Sequence, residues 1–232
     1  MTATSLSTAI AARRWAVVGA AGLSGVLVMI SMFVDPVPSA GGRELIAGYA
    51  GDQFRAGLHT NLIHYGFALI APVVFGIVGL VRGRGAWFAN VAGALAVVGL
   101  STLPGLVLLD LTSTAVVRAT DVETAYAAEQ QLGQMPAFVL VVIPAMVTAM
   151  LALPVAVAAL WRAGLVAWPV VVVAVVAQLA PFLLPWYLGF GAQMVWLLGL
   201  ALLLWRLPVG HWNRPVQRET APAAAPPAAV AG

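Results

Sequence analysis

Residues 136–160 read PAFVLVVIPAMVTAMLALPVAVAAL, an uninterrupted apolar run without one charged side chain. At a helical rise such a run is about 38 Å long, enough to cross a hydrocarbon layer about 30 Å thick. A helix is the one form in which a single segment satisfies its own backbone groups there. Five more runs of the same kind flank it: Trp15–Val34, Leu62–Val81, Trp87–Leu109, Val166–Leu184 and Gly189–Leu207. The sequence therefore predicts an all-α, polytopic membrane helix bundle of six transmembrane helices. This single domain (15–207) lies between a short N-terminal segment (1–14) and a Pro/Ala-rich tail (208–232) that cannot bury a core.

Composition excludes the alternatives. Of 232 residues 62% are apolar and 8% charged, against about 25% charge in a soluble domain. A mean hydropathy of +0.99 leaves too little polar surface for a water-soluble globule. With no cysteine, disulfides, thiolate catalysis and iron–sulfur clusters are excluded. The positive charges are all arginine, scattered around apolar runs; they form no nucleic-acid stripe and act as topology signals.

With the N-terminus inside, Arg13, Arg14, Arg82, Arg84, Arg162, Arg206, Arg214 and Arg218 face the cytoplasm, and only Arg43, Arg55 and Arg118 lie outside. This is the positive-inside bias, and it places both termini in the cytoplasm and the chain in the plasma (inner) membrane. Trp15, Trp87, Trp168, Trp186 and Trp205 fall near run ends, where amphipathic rings sit at headgroup level. The first run resembles a secretory signal, but it exceeds the usual 7–15 residue apolar region, so a retained anchor is expected. Pro181, Pro185 and Gly189 predict a tight turn between the last two spans.

Polar residues at membrane depth are expensive and mark candidate sites. The richest stretch is residues 52–65, DQFRAGLHTNLIHY. On a helix Asp52, Arg55 and His59 share one face, while His59 and His64 diverge by about 140°, which disfavours a metal site built on both. Counting from the arginines of the 82–84 turn places Asp110 at the level of Arg55 for a span that is not bent at Pro104 and Gly105, so Asp110 is expected to pair with Arg55 directly or through His59. That group is either an ion pair fixing two helices or the lining of an outward-facing site for a polar headgroup, a proton or a small solute. His64 lies at the outer hydrocarbon edge. Gln178 falls near midplane and Gln193 in the outer part of the last span; both are either interhelical hydrogen-bonding groups or ligands along a solute path.

Nucleotide-binding glycine patterns, HExxH and GxSxG are absent, and His59 and His64 both lie towards one side, which disfavours haem. No cofactor and no metal are implied, and an enzyme is not the expectation. The layout of Arg13-Arg14-Trp15 before a Gly/Ala-rich span, a polar lead from Ala47 to Arg55, and Arg82-Gly83-Arg84-Gly85 resembles six-span membrane proteins of high-GC bacteria. The resemblance implies the six-span layout and transfers no residue role.

Two functions follow as expectations. One is an accessory or binding bundle whose partners are membrane lipids or another membrane protein. The other is a small-solute or proton-coupled transporter using Asp52, Arg55, His59, His64 and Asp110 at the mouth and Gln178 deeper. A transporter requires a cavity reaching from the outer cluster towards Gln178.

Overall fold

A computed structural model describes residues 3–38 and 40–212. The greater part of the expected Pro/Ala-rich tail, from residue 213, lies outside the described residues. Those described form helices and short links, with no strand among them. In chain order the helices are α1 (Ala3–Val34), α2 (Gly42–Gly51), α3 (Gln53–Ala68), α4 (Ile70–Leu80), α5 (Ala86–Val107), α6 (Leu109–Ala119), α7 (Val122–Gln134), α8 (Pro136–Arg162), α9 (Trp168–Leu183) and α10 (Trp186–Arg206).

Among the described residues five helical stretches are long and apolar enough to cross a membrane: Thr8–Val34, Gln53–Leu80, Ala86–Ala119, Pro136–Arg162 and Tyr187–Arg206. This is a helical membrane protein. The sixth expected run is present as α9, whose 16 residues extend about 24 Å. Pro169 sits in its first turn, and it ends where Leu184 and Pro185 turn extended. Gly189 then lies so close to α9 that a Cβ there would meet Pro181 Cα at 2.5 Å. The last two helices are thus joined by a tight turn, as the prolines predict.

Two of the long stretches are interrupted, each beside a proline. Between α3 and α4 the helix breaks at Leu69, where Pro72 removes the donor that the Ala68 carbonyl would receive. Between α5 and α6 the Leu108 amide donates to Gly105 (3.2 Å) in place of the helical bond to Pro104.

The most extensive helix pair is α5 with α8, followed by α1 with α10 and α1 with α3. Small residues make the first possible. Ala89, Ala92 and Ala96 of α5 and Ala149, Ala152 and Ala156 of α8 are buried in one core. A Cβ on Gly99 would fall 2.1 Å from the Ala149 amide nitrogen. Trp212, in a helical turn just beyond α10, is fully buried in the same core.

The bundle has two chemically distinct ends. At one, Arg14 donates to the Trp205 carbonyl and lies 4.0 Å over its ring, while Arg13 neighbours Arg82. The turn at Gly83 and Gly85, both in the left-handed region (φ 64° and 96°), abuts Ala159 and Arg162. At the other end α2, α6 and α7 pack on one another as a cap. There Arg43 pairs with Glu123 at 2.9 Å in solvent. Asp121 caps α7, its carboxylate accepting from the Thr124 amide (2.8 Å) and hydroxyl (2.9 Å). The backbone bond, then the hydroxyl bond, hold that carboxyl below its ordinary range.

Candidate functional site

The polar stretch of residues 52–65 lies on α3, as expected, and α3 packs against α1. Asp52 is the N-cap of α3; its Oδ1 accepts from the Arg55 amide at 3.1 Å, which is what a short carboxylate at that position does best. Arg55 turns to the end of α1, where Nε donates to the Val34 carbonyl (3.2 Å) and Nη2 to the Asp35 carbonyl (3.1 Å). A guanidinium on the unpaired carbonyls of a helix C-terminus is well matched to the helix dipole.

The acid that faces the histidine is Asp35, and this corrects the expected pairing of Asp110 with Arg55 and His59. His59 and Asp35 are 3% and 4% exposed, and His59 Nε2 lies 3.9 Å from Asp35 Oδ2. His59 Nδ1 bonds the Ser31 carbonyl at 2.8 Å. A carbonyl only accepts, so Nδ1 carries the proton and Nε2 is the nitrogen that points at the carboxylate. Asp35 is held in turn by the Val37 amide, which donates to its Oδ1 at 3.0 Å. Tyr49 of α2 closes the group, its ring edge-on to His59 at 6.0 Å. Burial, then the nearby Asp35 and Asp110 carboxylates, push the Tyr49 hydroxyl well above its ordinary value.

The helix count fails for Asp110 in azimuth more than in depth. His64 Nδ1 donates to the Pro104 carbonyl at 2.7 Å, the acceptor that Leu108 leaves free. From Pro104, six further residues bring Asp110 to about the level of His59. The break at Leu108 starts a new helix, and Asp110 lines a pocket between α5, α6, α7 and α8. This pocket, of about 630 Å3, also holds Glu129, Ser113, Gln130 and Gln134.

Gln178 lines a second cavity, of about 180 Å3, within the helical bundle. Its walls are mainly apolar, including Phe67, Leu100, Met150 and Phe190, and it carries a second amide, Gln193. Gln193 is 4% exposed and its Oε1 has no hydrogen-bond partner. Leu103 and Met146 line both cavities, so the polar pocket and the inner chamber adjoin across those two side chains. The six sequence candidates thus divide: Asp52, Arg55 and His59 join α3 to α1 and α2, His64 joins α3 to α5, and Asp110 and Gln178 line the two chambers.

Asp35, Tyr49, Glu129 and the open acceptor of Gln193 complete these groups. Asp35 was legible only by pairing the end of one apolar run with the start of the next; Glu129 carried no signal before α7 was placed over α6. Among the described residues no three His, Asp or Glu side chains converge as metal ligands. The chain matches no family model, no curated protein and no solved structure.

Proposed function

We propose that this is a plasma-membrane protein that crosses the bilayer six times, α9 included, with both termini in the cytoplasm, and that its bundle binds a ligand from the outer side without transforming it. The segregation of Arg13, Arg14, Arg82 and Arg162 to one end supports the orientation. The single observation that carries the binding role is the pair of adjoining chambers, a polar mouth beside Asp110 and an apolar pocket beside Gln178, sharing Leu103 and Met146. A concave, mostly apolar site with a few convergent polar groups is the usual form of a ligand pocket.

The native chain has no cysteine, so one introduced thiol reports alone. In the variant Gln178→Cys, a small, charged, membrane-impermeant methanethiosulfonate added outside is expected to label the thiol, and Leu103→Trp in the same chain to slow it. A thiol unreactive from outside overturns the outer route. Phosphatase fused after residue 232 is expected to be inactive and green fluorescent protein at that position bright; the reverse overturns the orientation.

Proton-coupled transport is the second reading, favoured by the buried pair of Asp35 and His59. His59 Nδ1 bonds Ser31 while Nε2 faces Asp35 Oδ2 at 3.9 Å, so an imidazole and a carboxyl group face each other, buried, beside the cap of α2, α6 and α7, the kind of pair from which proton relays in membranes are built. Proton uptake accompanying solute entry in proteoliposomes, abolished in His59→Gln, distinguishes it from binding alone.

A further inference from the structure

The two chambers also indicate what they hold. Asp110 and Glu129 line one pocket and lie within electrostatic reach of each other. Neither has an ion-pair partner among the described residues, and no arginine or histidine lines that pocket. Asp110 is half-buried and Glu129 stands exposed at the rim; like charges within reach of each other repel, and a bound cation removes that cost. Deeper in, mainly apolar walls line a cavity of about 180 Å3; an apolar cavity of about 150 Å3 accepts a benzene ring. At this depth the Gln193 Oε1 is buried without a donor, and an unmet acceptor in a low-dielectric site is costly until a donor arrives.

We infer that the ligand is an organic monocation with a ring-sized apolar body: its charged head lies between Asp110 and Glu129, its body passes Leu103 and Met146, and a donor at its far end meets Gln193. This rests on the reading of the chambers as the ligand site, and it adds the charge, size and polarity of what enters them.

The test uses the full chain in neutral phosphatidylcholine nanodiscs, with empty nanodiscs as blank. The probes are 4-phenylbutyl-trimethylammonium, 4-phenylbutanol and 4-phenylbutanesulfonate, which share one body and differ in charge. Saturable binding of the cation is expected, weakened about tenfold in Asp110→Asn/Glu129→Gln, the loss of close charge pairing. A para-hydroxyl on the cation's ring is expected to tighten binding several-fold, and Gln193→Leu to remove only that gain. The probe comparison on the unmodified chain stands even where a variant fails to fold.

Equal binding of the alcohol or the sulfonate overturns the cation and leaves the chambers as a binding site. The absence of binding by all three, with Gln178→Cys still labelled from outside, overturns this inference alone. The absence of both binding and labelling overturns the proposed function with it.

Discussion

The seam between α5 and α8 and the seam between α1 and α3 solve the same problem by opposite means. Along the first, Ala and Gly allow the backbones to approach until Gly99 touches Ala149. Along the second, Ser24 donates to the Gly66 carbonyl at 2.7 Å, His59 binds Ser31 and faces Asp35, and Arg55 caps Val34 and Asp35. Without a hydrophobic driving force between helices in lipid, dispersion at close approach and interhelical hydrogen bonds are the two available sources of association. The contrast shows that polar residues at membrane depth divide between holding helices together and facing space, and that burial alone does not separate the two.

The sharpest way to break the small-residue seam is Gly99→Val. The new Cβ meets backbone, at 2.1 Å from Ala149 N and 2.6 Å from its Cα, and backbone cannot turn aside as a flexible side chain does. A loss of about 3 kcal/mol is expected, read as a lowered midpoint of unfolding in mixed micelles. Gly105→Val, where an added Cβ meets nothing within 4 Å, is the matched control and is expected to lose less.

The polar seam is tested next by His59→Leu, which removes the bond to Ser31 and leaves the buried Asp35 facing an apolar side chain. The expected loss is about 2–3 kcal/mol. Asp35→Asn added to His59→Leu should then recover part of it, because the uncompensated charge is gone. Strict additivity in this double-mutant cycle would show that Asp35 and His59 do not act as a unit.

Tyr49, which packs against the same group, gives a pH test with a definite sign. Its hydroxyl is held above the ordinary value of 10.0 by burial, with Asp35 and Asp110 adding to it. Below that value both folded and unfolded chains keep the proton and nothing changes. As pH rises through it, the unfolded chain releases the proton and the folded chain does not, so stability falls by up to about 1.4 kcal/mol per pH unit until the folded hydroxyl ionises. Tyr49→Phe is expected to lessen this alkaline loss while leaving the neutral-pH midpoint little changed; equal alkaline slopes in the two proteins would refute the assignment.

How much of this was legible in the sequence follows the same division. The apolar runs, the arginine ends and the tight turn before α10 are set by residue type along one chain, and periodicity with counting finds them. The relative level of α3 and α5 was legible as well, since counting from Arg82 and Arg84 brings His64 and Pro104 to nearly the same height, and His64 Nδ1 bonds the Pro104 carbonyl. Azimuth was not. The expectation for Asp110 rests on one straight helix from Arg84, whereas the helix breaks at Leu108, and Asp110 then lines a pocket with Glu129 of α7 while Arg55 bonds the end of α1. Similarly, a glutamine in an apolar run announces a polar group at depth, but only the packing of α10 shows that Gln178 and Gln193 share a chamber.

The smallest effect separates two serines that look alike in sequence. Ser24 Oγ donates across the seam to Gly66 of α3, whereas Ser101 donates within its own helix to Val97 and is exposed on the bundle surface. An interhelical bond of this kind contributes about 0.6 kcal/mol in a membrane protein. A bond to the carbonyl four residues back forms in the isolated helix too, so it does not distinguish the assembled state. Ser24→Ala is therefore expected to lower the unfolding midpoint by about that amount, and Ser101→Ala to leave it unchanged. Equal losses would mean that the hydroxyl acts on each helix by itself, and the polar seam would then rest on His59 and Arg55 alone.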